Sequence, residues 1–244
     1  MNLISIITPC FNSENTIRQT LENVVNQSYQ NFEYIIVDGA STDGTLNIIN
    51  EYKNQFGDKL RVISEPDNGI YDAMNKGISE ARGNIIGIIN SDDWFELNTL
   101  ELVNHNYSGA KYEILYGMQK NWENEKEKIV FIKSHDFIDS QMLTHPTCFV
   151  TKSTYSDLGV FDTTYKSSAD YELMIRMVKS GKVQFTPIHQ IMANFRLGGM
   201  SSGQIGVRED AKIRYYYGII SKKKMLYTIF KSFIYESMRK RKLV

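Results

Sequence analysis

Short apolar runs alternate with segments of helical spacing over the first hundred residues. The runs are Leu3–Thr8, Phe32–Val37, Leu60–Ser64 and Ile85–Ile89. Between them, apolar residues recur every three or four positions, as a helix requires, at Ile17, Leu21, Val24 and Val25 and again at Ile70, Met74, Ile78 and Ala81. This alternation predicts an α/β fold, with a mostly parallel central sheet and helices on both faces.

The pattern becomes irregular after Trp94. We expect helices over Asn98–Asn106 and Asp170–Lys179, and strands near Ile114–Gly117, Ile129–Ile132, Cys148–Thr151, Val183–Phe185 and Ile188–Asn194. The polar stretch Asn121–Lys128 suggests a hairpin tip, and the Gly/Ser-rich stretch Leu197–Gly206 suggests a loop. No internal repeat or linker divides the chain. We therefore predict one domain, 1–221, with halves 1–95 and 96–221, and a separate tail, 222–244.

Composition narrows the class of protein. The chain has 244 residues, 42% of them apolar, and a formal net charge of zero. Residues 1–221 carry 20 basic and 27 acidic residues, a net charge of −7, which argues against a nucleic-acid-binding body. The two cysteines fit no metal spacing or disulfide framework, as in a reducing cytosol. The first ten residues lack a basic leader, and no apolar run approaches the roughly 20 residues that span a bilayer. We expect a cytoplasmic protein, either free or peripheral on the inner face of the plasma membrane.

Polar residues follow each of the four early strands. They lie in Thr8–Asn12 with Glu14, Asp38–Gly44, Glu65–Gly69 and Asn90–Asp93. Any one of these stretches could be an ordinary turn and helix cap. Taken together they bring many carboxylates to the edge where parallel sheets bind ligands, and such carboxylates repel each other unless a cation balances them. Oxygen ligands of this kind suit Mn²⁺ or Mg²⁺.

Two common nucleotide-binding patterns are absent. No G-x-G-x-x-G follows the first strand, and no G-x-x-x-x-G-K-[ST] occurs in the chain. These absences disfavour a dinucleotide-dependent dehydrogenase and a P-loop NTPase. The acidic edge instead favours a diphosphate bridged by a metal.

The order of four motifs resembles the family 2 glycosyltransferases with the GT-A fold. The motifs are T-P-C-F-N, V-D-G-A-S-T-D-G-T, D-N-G-I-Y-D-A-M-N-K-G-I-S-E-A-R-G and N-S-D-D-W, within residues 1–95. Looser likeness, through H-P-T-C-F, G-V-F-D and A-D-Y-E-L-M-I-R, continues to about residue 200. These later stretches look most like bacterial enzymes that build O-antigen, capsule or exopolysaccharide repeat units.

The resemblance implies a donor site in the first half. It gives nucleotide-binding roles to Pro9, Asn12, Glu14, Asp38, Ser41, Asp67, Asp72, Asn75, Lys76, Ser91 and Asp92. Asp38 would hold a uracil ring, Asp92 would face the ribose or the sugar, and Asp93 would bind the metal. Asn90 stands where many members of the family carry a further aspartate.

The resemblance also implies roles in the second half. Asp170 would be the general base, although a helix N-cap is the alternative and Ala169 replaces the usual Glu. His145 would border the donor and acceptor, unless it is simply a buried polar residue. Arg196, with the loop Gly198-Gly199-Met200-Ser201-Ser202, would form a lid over the diphosphate, against the alternative of a flexible turn.

These residues imply an inverting, metal-dependent transferase. It would move one sugar from a nucleotide-diphosphate sugar, with a UDP-sugar as the expected donor, to a hydroxyl of a glycan acceptor carried on a lipid. Two alternatives stay open. One is a nucleotidyltransferase making a nucleotide sugar, although Thr8–Glu14 lacks the basic phosphate loop that such enzymes use. The other is a catalytically silent nucleotide-binding scaffold.

The tail concentrates positive charge. Residues 222–244 contain eight Lys or Arg residues and a single acidic residue, Glu236. Apolar residues recur at helical spacing at Leu226, Ile229, Phe230, Phe233 and Ile234. A basic amphipathic helix of this kind can lie on an anionic membrane, and docking on the body of the protein is the alternative.

Overall fold

The computed structural model describes residues 2–198 and 203–242, with side chains as far as residue 238. Its strands are β1 (Ile4–Cys10), β2 (Phe32–Asp38), β3 (Leu60–Ser64), β4 (Ile85–Ile88), β5 (Trp94–Phe95), β6 (Glu113–Glu123), β7 (Lys126–Phe131), β8 (Phe149–Thr151) and β9 (Gln184–Arg196). Its α-helices are α1 (Ile17–Val25), α2 (Thr45–Phe56), α3 (Ile70–Glu80), α4 (Thr99–Asn106), α5 (Lys152–Leu158), α6 (Ala169–Lys179), α7 (Gln204–Tyr216) and α8 (Lys222–Lys242). The predicted alternation of strand and helix in the first half is confirmed.

One mixed sheet contains all the described strands. Their order is β3-β2-β1-β4-β8-β6-β9-β5, and β7 pairs with β6. Strands β1 to β4 run parallel, whereas β8 is antiparallel to β4. The order therefore reverses beside β1, where sheets of this type bind their ligands. We call residues 11–14, 39–44, 65–69 and 89–93, which follow these four strands, the carboxyl rim.

Each face of the sheet carries its own hydrophobic core. Ile4 and Ile6 of β1 belong to a core completed by α1, α2 and α4, while Ile7 belongs to the core built with α3 and α6. Every residue of β1 and β2 is buried. Burial on both faces explains why these strands are apolar throughout rather than alternating.

The second half contains helix α5, which the sequence pattern did not predict, and it differs from the prediction at three further places. The predicted strands Val183–Phe185 and Ile188–Asn194 are one strand, β9, whose pairing with β6 shifts register at Gly117 and Met118. The hairpin tip is narrower than Asn121–Lys128, because β6 runs to Glu123 and β7 begins at Lys126, leaving only Asn124 and Glu125 between the strands, both with positive φ. The loop predicted over Leu197–Gly206 ends early, because α7 begins at Gln204.

Helix α8 packs along α7 by one face. The Arg208 guanidinium of α7 lies 2.8 Å from Glu236 Oε2 and 4.5 Å from the ring centre of Phe233. Ser232 is buried, and its hydroxyl donates to the Gln204 carbonyl oxygen. Among the described residues, no helix has the length and apolar character needed to cross a membrane.

Candidate active site

Hydrogen bonds join the loops of the carboxyl rim. The Asn12 amide donates to Ser41 Oγ at 2.8 Å, and the Thr42 amide donates to Asn12 Oδ1 at 2.9 Å. Asn12 has a φ of 48°, a left-handed conformation that asparagine tolerates better than most residues. Ser13 Oγ lies 2.8 Å from Ser91 Oγ. The loops after β1, β2 and β4 thus form one continuous surface, as the sequence predicts.

Asp38 forms the buried floor of this surface. Its side chain is fully buried and accepts hydrogen bonds from the Ser64 hydroxyl at 2.7 Å and the Ser41 amide at 3.1 Å. The Ser41 hydroxyl donates to the other carboxylate oxygen. Asp38 therefore fixes the ends of β2 and β3. Its contact with a uracil ring stays a prediction.

Phe11 is a rim residue that the sequence analysis did not single out. Its side chain is 61% exposed although it directly follows a buried strand. A Cβ on Gly39 would lie 3.4 Å from the Phe11 ring and would collide with the Asp67 carboxylate, so glycine keeps the ring and the carboxylate side by side. An exposed aromatic face beside a hydrogen-bonding group can stack on a nucleobase. The signal was an aromatic residue in an otherwise polar turn.

Three side chains that are predicted to contact the nucleotide sugar already bind other groups of the protein. Glu14 accepts a hydrogen bond from the Gly44 amide at 2.6 Å, and Asp72 accepts one from the Asn68 amide at 2.9 Å. Lys76 Nζ donates to the Pro66 carbonyl and lies 3.0 Å from Glu65. These contacts brace the rim, and direct binding of the donor by these side chains stays a prediction.

Asn75 and Pro9 lie in the framework rather than on an open loop. The Asn75 amide pairs with both backbone groups of Phe161, at 2.9 and 3.0 Å, and so joins α3 to the second half of the chain. Pro9 is buried within β1 opposite Val37, because the strand runs two residues beyond its predicted end. Their expected contact with the donor stays a prediction.

Asp92 and Asp93 form an adjacent acidic pair at the end of β4. Asp93 is 1% exposed, and its carboxylate accepts hydrogen bonds from the Arg196 amide at 2.9 Å and the Asn90 side-chain amide at 3.3 Å. Burial and the neighbouring Asp92 charge raise the pKa of Asp93 well above its usual range. Burial also raises the pKa of Asp92, while the Arg196 charge opposes that rise.

The oxygen atoms around this pair are suitable ligands for a hard divalent cation. Asn90 Oδ1 is buried and has no hydrogen-bond partner among the described residues. Two carboxylates and an orphaned amide oxygen match the oxygen ligands that Mg²⁺ and Mn²⁺ prefer. No group of three His, Cys, Asp or Glu side chains within 2–198 and 203–242 could hold a metal alone. A cation here would complete its shell with substrate oxygens and water.

Asp170 is held near the rim by a tyrosine. Helix α6 begins at Ala169 with Ser168 at its N-cap, so Asp170 is not the cap. The Tyr71 hydroxyl and the Tyr171 amide donate to Asp170 Oδ1 at 3.0 and 2.9 Å. No described residue donates to Oδ2. Burial raises the pKa of Asp170 to about 6, against the lowering effect of the Tyr71 hydrogen bond.

His145 and Arg196 occupy different settings. His145 is buried with its ring 5.7 Å from that of Phe161, and burial lowers its pKa to about 4, so it is neutral near pH 7. Arg196 reaches the acidic pair, since its guanidinium donates to the Asp92 carbonyl at 2.9 Å and lies 4.9 Å from the Trp94 ring centre. The predicted lid residues Gly199-Met200-Ser201-Ser202 lie outside the described residues.

Comparison with known proteins decides the family. The model of glycosyl transferase family 2 matches residues 5–154. The chain belongs to glycosyltransferase family 2. A PGL/p-HBAD biosynthesis glycosyltransferase of Mycobacterium bovis is 26% identical over 211 residues, covering 82% of this chain and 79% of its own. Chondroitin synthase of Pasteurella multocida is 28% identical over 206 residues, covering 81% of this chain but 21% of its own.

Solved structures confirm the GT-A fold of this glycosyltransferase. S. aureus TarS 1–349, in complex with UDP-GlcNAc, superposes with a TM-score of 0.69 and 18% identity, covering 96% of this chain and 72% of that one. Mannosyltransferase PcManGT from Pyrobaculum calidifontis, in complex with GDP-Man and Mn²⁺, superposes with a TM-score of 0.67 and 18% identity, covering 95% of this chain and 69% of that one. Asp170, Arg196 and α7 lie beyond the residues that the family model matches.

Proposed function

We propose that this glycosyltransferase is an inverting, metal-dependent enzyme that moves one sugar from a nucleotide-diphosphate sugar to a glycan hydroxyl. The observation that carries the proposal is the carboxylate of Asp170. Its Oδ1 accepts two hydrogen bonds, whereas no described residue donates a hydrogen bond to its Oδ2. Its anchor, Tyr71, lies in the first turn of α3, directly after the rim residues 65–69. The base therefore lies beside the predicted donor site.

The donor side of the proposal rests on the acidic pair and the fold. A UDP-sugar is the expected donor. Phe11 and Asp67 would lie beside its uracil ring, and Asp38 would lie beneath the rim. Asp92, Asp93 and Asn90 would hold Mn²⁺ or Mg²⁺. When bound, such an ion neutralises the charge that develops on a leaving diphosphate. The structures of TarS with UDP-GlcNAc and PcManGT with GDP-Man and Mn²⁺ support this kind of donor.

The transfer step needs one proton acceptor. Asp170 Oδ2 would take the proton of the acceptor hydroxyl while that oxygen forms a bond to the anomeric carbon. The bond from this carbon to the diphosphate oxygen breaks on the opposite face, and its electron pair leaves with the nucleotide. A single displacement inverts the anomeric configuration and needs no covalent sugar–enzyme intermediate. With a pKa of about 6, Asp170 is mostly ionised at neutral pH, as a general base requires.

The reaction can be tested directly. We would incubate the protein and Mn²⁺ with UDP-GlcNAc or GDP-mannose and a panel of lipid-diphosphate-linked saccharides, and would assign the anomeric configuration of products by NMR. Transfer of one sugar with inverted configuration is the expected result. Retained configuration would contradict the mechanism. Formation of pyrophosphate from UTP and a sugar 1-phosphate would instead indicate the nucleotidyltransferase.

Replacing Tyr71 with Phe should move the pH dependence of transfer. The Tyr71 hydroxyl stabilises the ionised Asp170, so its loss raises the pKa of that carboxyl above about 6. The acidic limb of kcat against pH should therefore move to higher pH, while kcat above pH 8 stays near the wild-type value. Tyr216→Phe, at a 78% exposed residue of α7, serves as the control. An unmoved limb would show that Tyr71 does not tune the base.

We further propose that α8 holds the enzyme on a lipid surface, where a lipid-linked acceptor would lie. The face of α8 away from α7 exposes Leu226, Tyr227, Phe230, Ile234 and Met238, each 44–66% accessible. Lys222, Lys223, Lys224 and Lys231 lie on the same helix. Apolar side chains on one face with lysines around them suit the headgroup region of an anionic membrane, where each Lys contributes about 1 kcal/mol. This location would be the inner face of the plasma membrane.

Sedimentation with vesicles tests this surface. The wild-type protein should pellet with phosphatidylglycerol vesicles much more than with phosphatidylcholine vesicles, and less so in high salt. Phe230→Glu with Ile234→Glu should abolish pelleting. Ile129→Glu, at a comparably exposed apolar residue of β7, should not. Equal pelleting of both variants would contradict the proposal.

A further inference from the structure

A carboxylate of α7 holds the segment that leads into Asp170. Glu209 Oε1 accepts a hydrogen bond from the Lys166 amide at 2.9 Å. Glu209 Oε2 accepts hydrogen bonds from the Ser167 and Ser168 amides at 2.8 and 3.1 Å. Three consecutive backbone N–H groups thus converge on one side chain that lies 41–43 residues away in the chain.

This segment has few other anchors. Residues 166–168 form no helix or strand, and Ser168 at the N-cap of α6 makes no side-chain capping bond. Its hydroxyl instead donates to the Gly206 carbonyl of α7 at 3.3 Å. No other described acceptor binds the three amides. The backbone immediately before Asp170 is therefore positioned mainly by the first turns of α7.

We propose that Glu209 is a positioning residue for the base, which fixes the start of α6 so that Asp170 Oδ2 faces the acceptor hydroxyl. This inference rests on the proposed role of Asp170. Tyr71 holds the Asp170 side chain from α3, and Glu209 holds the backbone of residues 166–168, just before Asp170, from α7. A shift of about 1 Å in a catalytic group can cost about 100-fold in rate, so the backbone anchor matters as much as the side-chain one.

Glu209 also acts on Asp170 by its charge. The groups near the Asp170 carboxyl are Tyr71 from α3, Cys148 before β8, and Glu209 and Asp210 from α7. The negative charge of Glu209 raises the pKa of Asp170, whereas the Tyr71 hydroxyl lowers it. Removing the Glu209 charge should therefore move the acidic limb of kcat to lower pH, opposite to Tyr71→Phe. This shift reports the charge of Glu209 near Asp170, whereas a loss of kcat without a loss of nucleotide affinity reports its positioning role.

The test compares Glu209→Ala and Glu209→Gln with Glu51→Gln as the control. Glu51 lies on α2 and forms an exposed ion pair with Arg18 of α1. Four quantities are measured with UDP, UDP-GlcNAc and Mn²⁺: the affinity for UDP by calorimetry, kcat for UDP release as a function of pH, the donor KM, and hydrogen exchange of peptides covering 163–170. Wild-type binding of UDP, GDP and dTDP is checked first, and the nucleotide that binds replaces UDP in the comparison if it is not UDP. Folded wild-type protein that binds none of them would overturn the proposed function before any variant is compared.

The proposal predicts a separation of these quantities. Glu209→Ala should lower kcat about 10- to 100-fold and expose 166–168 to exchange, while UDP affinity and donor KM change less than about twofold. Glu209→Gln keeps one acceptor oxygen, so it should recover part of kcat and shift the acidic limb below that of the wild type. Wild-type kcat in Glu209→Ala would overturn the proposal. Equal loss of UDP affinity and of protection throughout the chain would also overturn it, because Glu209 would then only stabilise the fold.

Discussion

Asp170→Asn should abolish sugar transfer almost completely while leaving nucleotide binding intact. General-base catalysis contributes about 10²- to 10⁴-fold, so we expect kcat to fall by that factor. Asparagine preserves the acceptor for the Tyr71 hydroxyl and the Tyr171 amide, so the start of α6 should keep its structure. The measurement is kcat for donor consumption, beside calorimetric affinity for UDP with Mn²⁺.

The control for this substitution is Asp157→Asn. Asp157 is exposed and pairs with Lys111 on the surface, so its loss should change neither quantity. An Asp170→Asn protein with full activity would remove Asp170 from the mechanism and would favour either another base or the silent scaffold. Loss of UDP affinity in this variant would indicate that Asp170 holds the donor instead of the proton.

Asp93→Asn should have the second large effect, on the metal. Even outer-shell partners of a metal contribute about 10- to 100-fold to its affinity, so removal of a ligand should cost more than about 100-fold in Mn²⁺ affinity. Asparagine retains the shape of the side chain and an acceptor for the Arg196 amide. It also removes a buried carboxyl group that lies beside the partly buried Asp92. We therefore expect a melting temperature no lower than that of the wild type.

Calorimetric titration with Mn²⁺ and UDP measures this effect. UDP affinity of Asp93→Asn should be weak and should no longer respond to a chelator, whereas Asp58→Asn, at an exposed position after α2, should behave as the wild type. Unchanged Mn²⁺-dependent binding would show that Asp93 is not a ligand. A lowered melting temperature would show that the buried carboxylate serves the fold.

Local sequence patterns predicted the parts of the fold that depend on local physics. The apolar runs of β1, β2 and β4 reflect burial on both faces, and the polar turns after them reflect the carboxyl rim. Both signals lie within a few adjacent residues. The extent of β9 was harder to predict, because Pro187 is typical of a strand end. The strand nevertheless continues through Pro187 to Arg196, with a register shift against β6.

The supports of the candidate base left no such local signal. Tyr71 and Asp170 are 99 residues apart in the chain, and Asn75 and Phe161 are 86 apart. Glu209 is a glutamate, a residue type that is usually exposed to solvent, so its sequence context does not predict a structural contact. Their pairing depends on how α3, α6 and α7 pack together. Phe11 was missed for a different reason, because an aromatic residue beside a buried strand suggests core unless its exposure is known.

The most direct test of the account is calorimetric titration of the wild-type protein with UDP, GDP and dTDP, each with Mn²⁺ and then with excess chelator. We predict that one of the three, with UDP expected, binds selectively and loses affinity when the chelator is added. Folded protein that binds none of them would contradict the assignment of a nucleotide-sugar donor. Binding that persists unchanged in chelator would contradict the role of Asp92, Asp93 and Asn90 as a metal site.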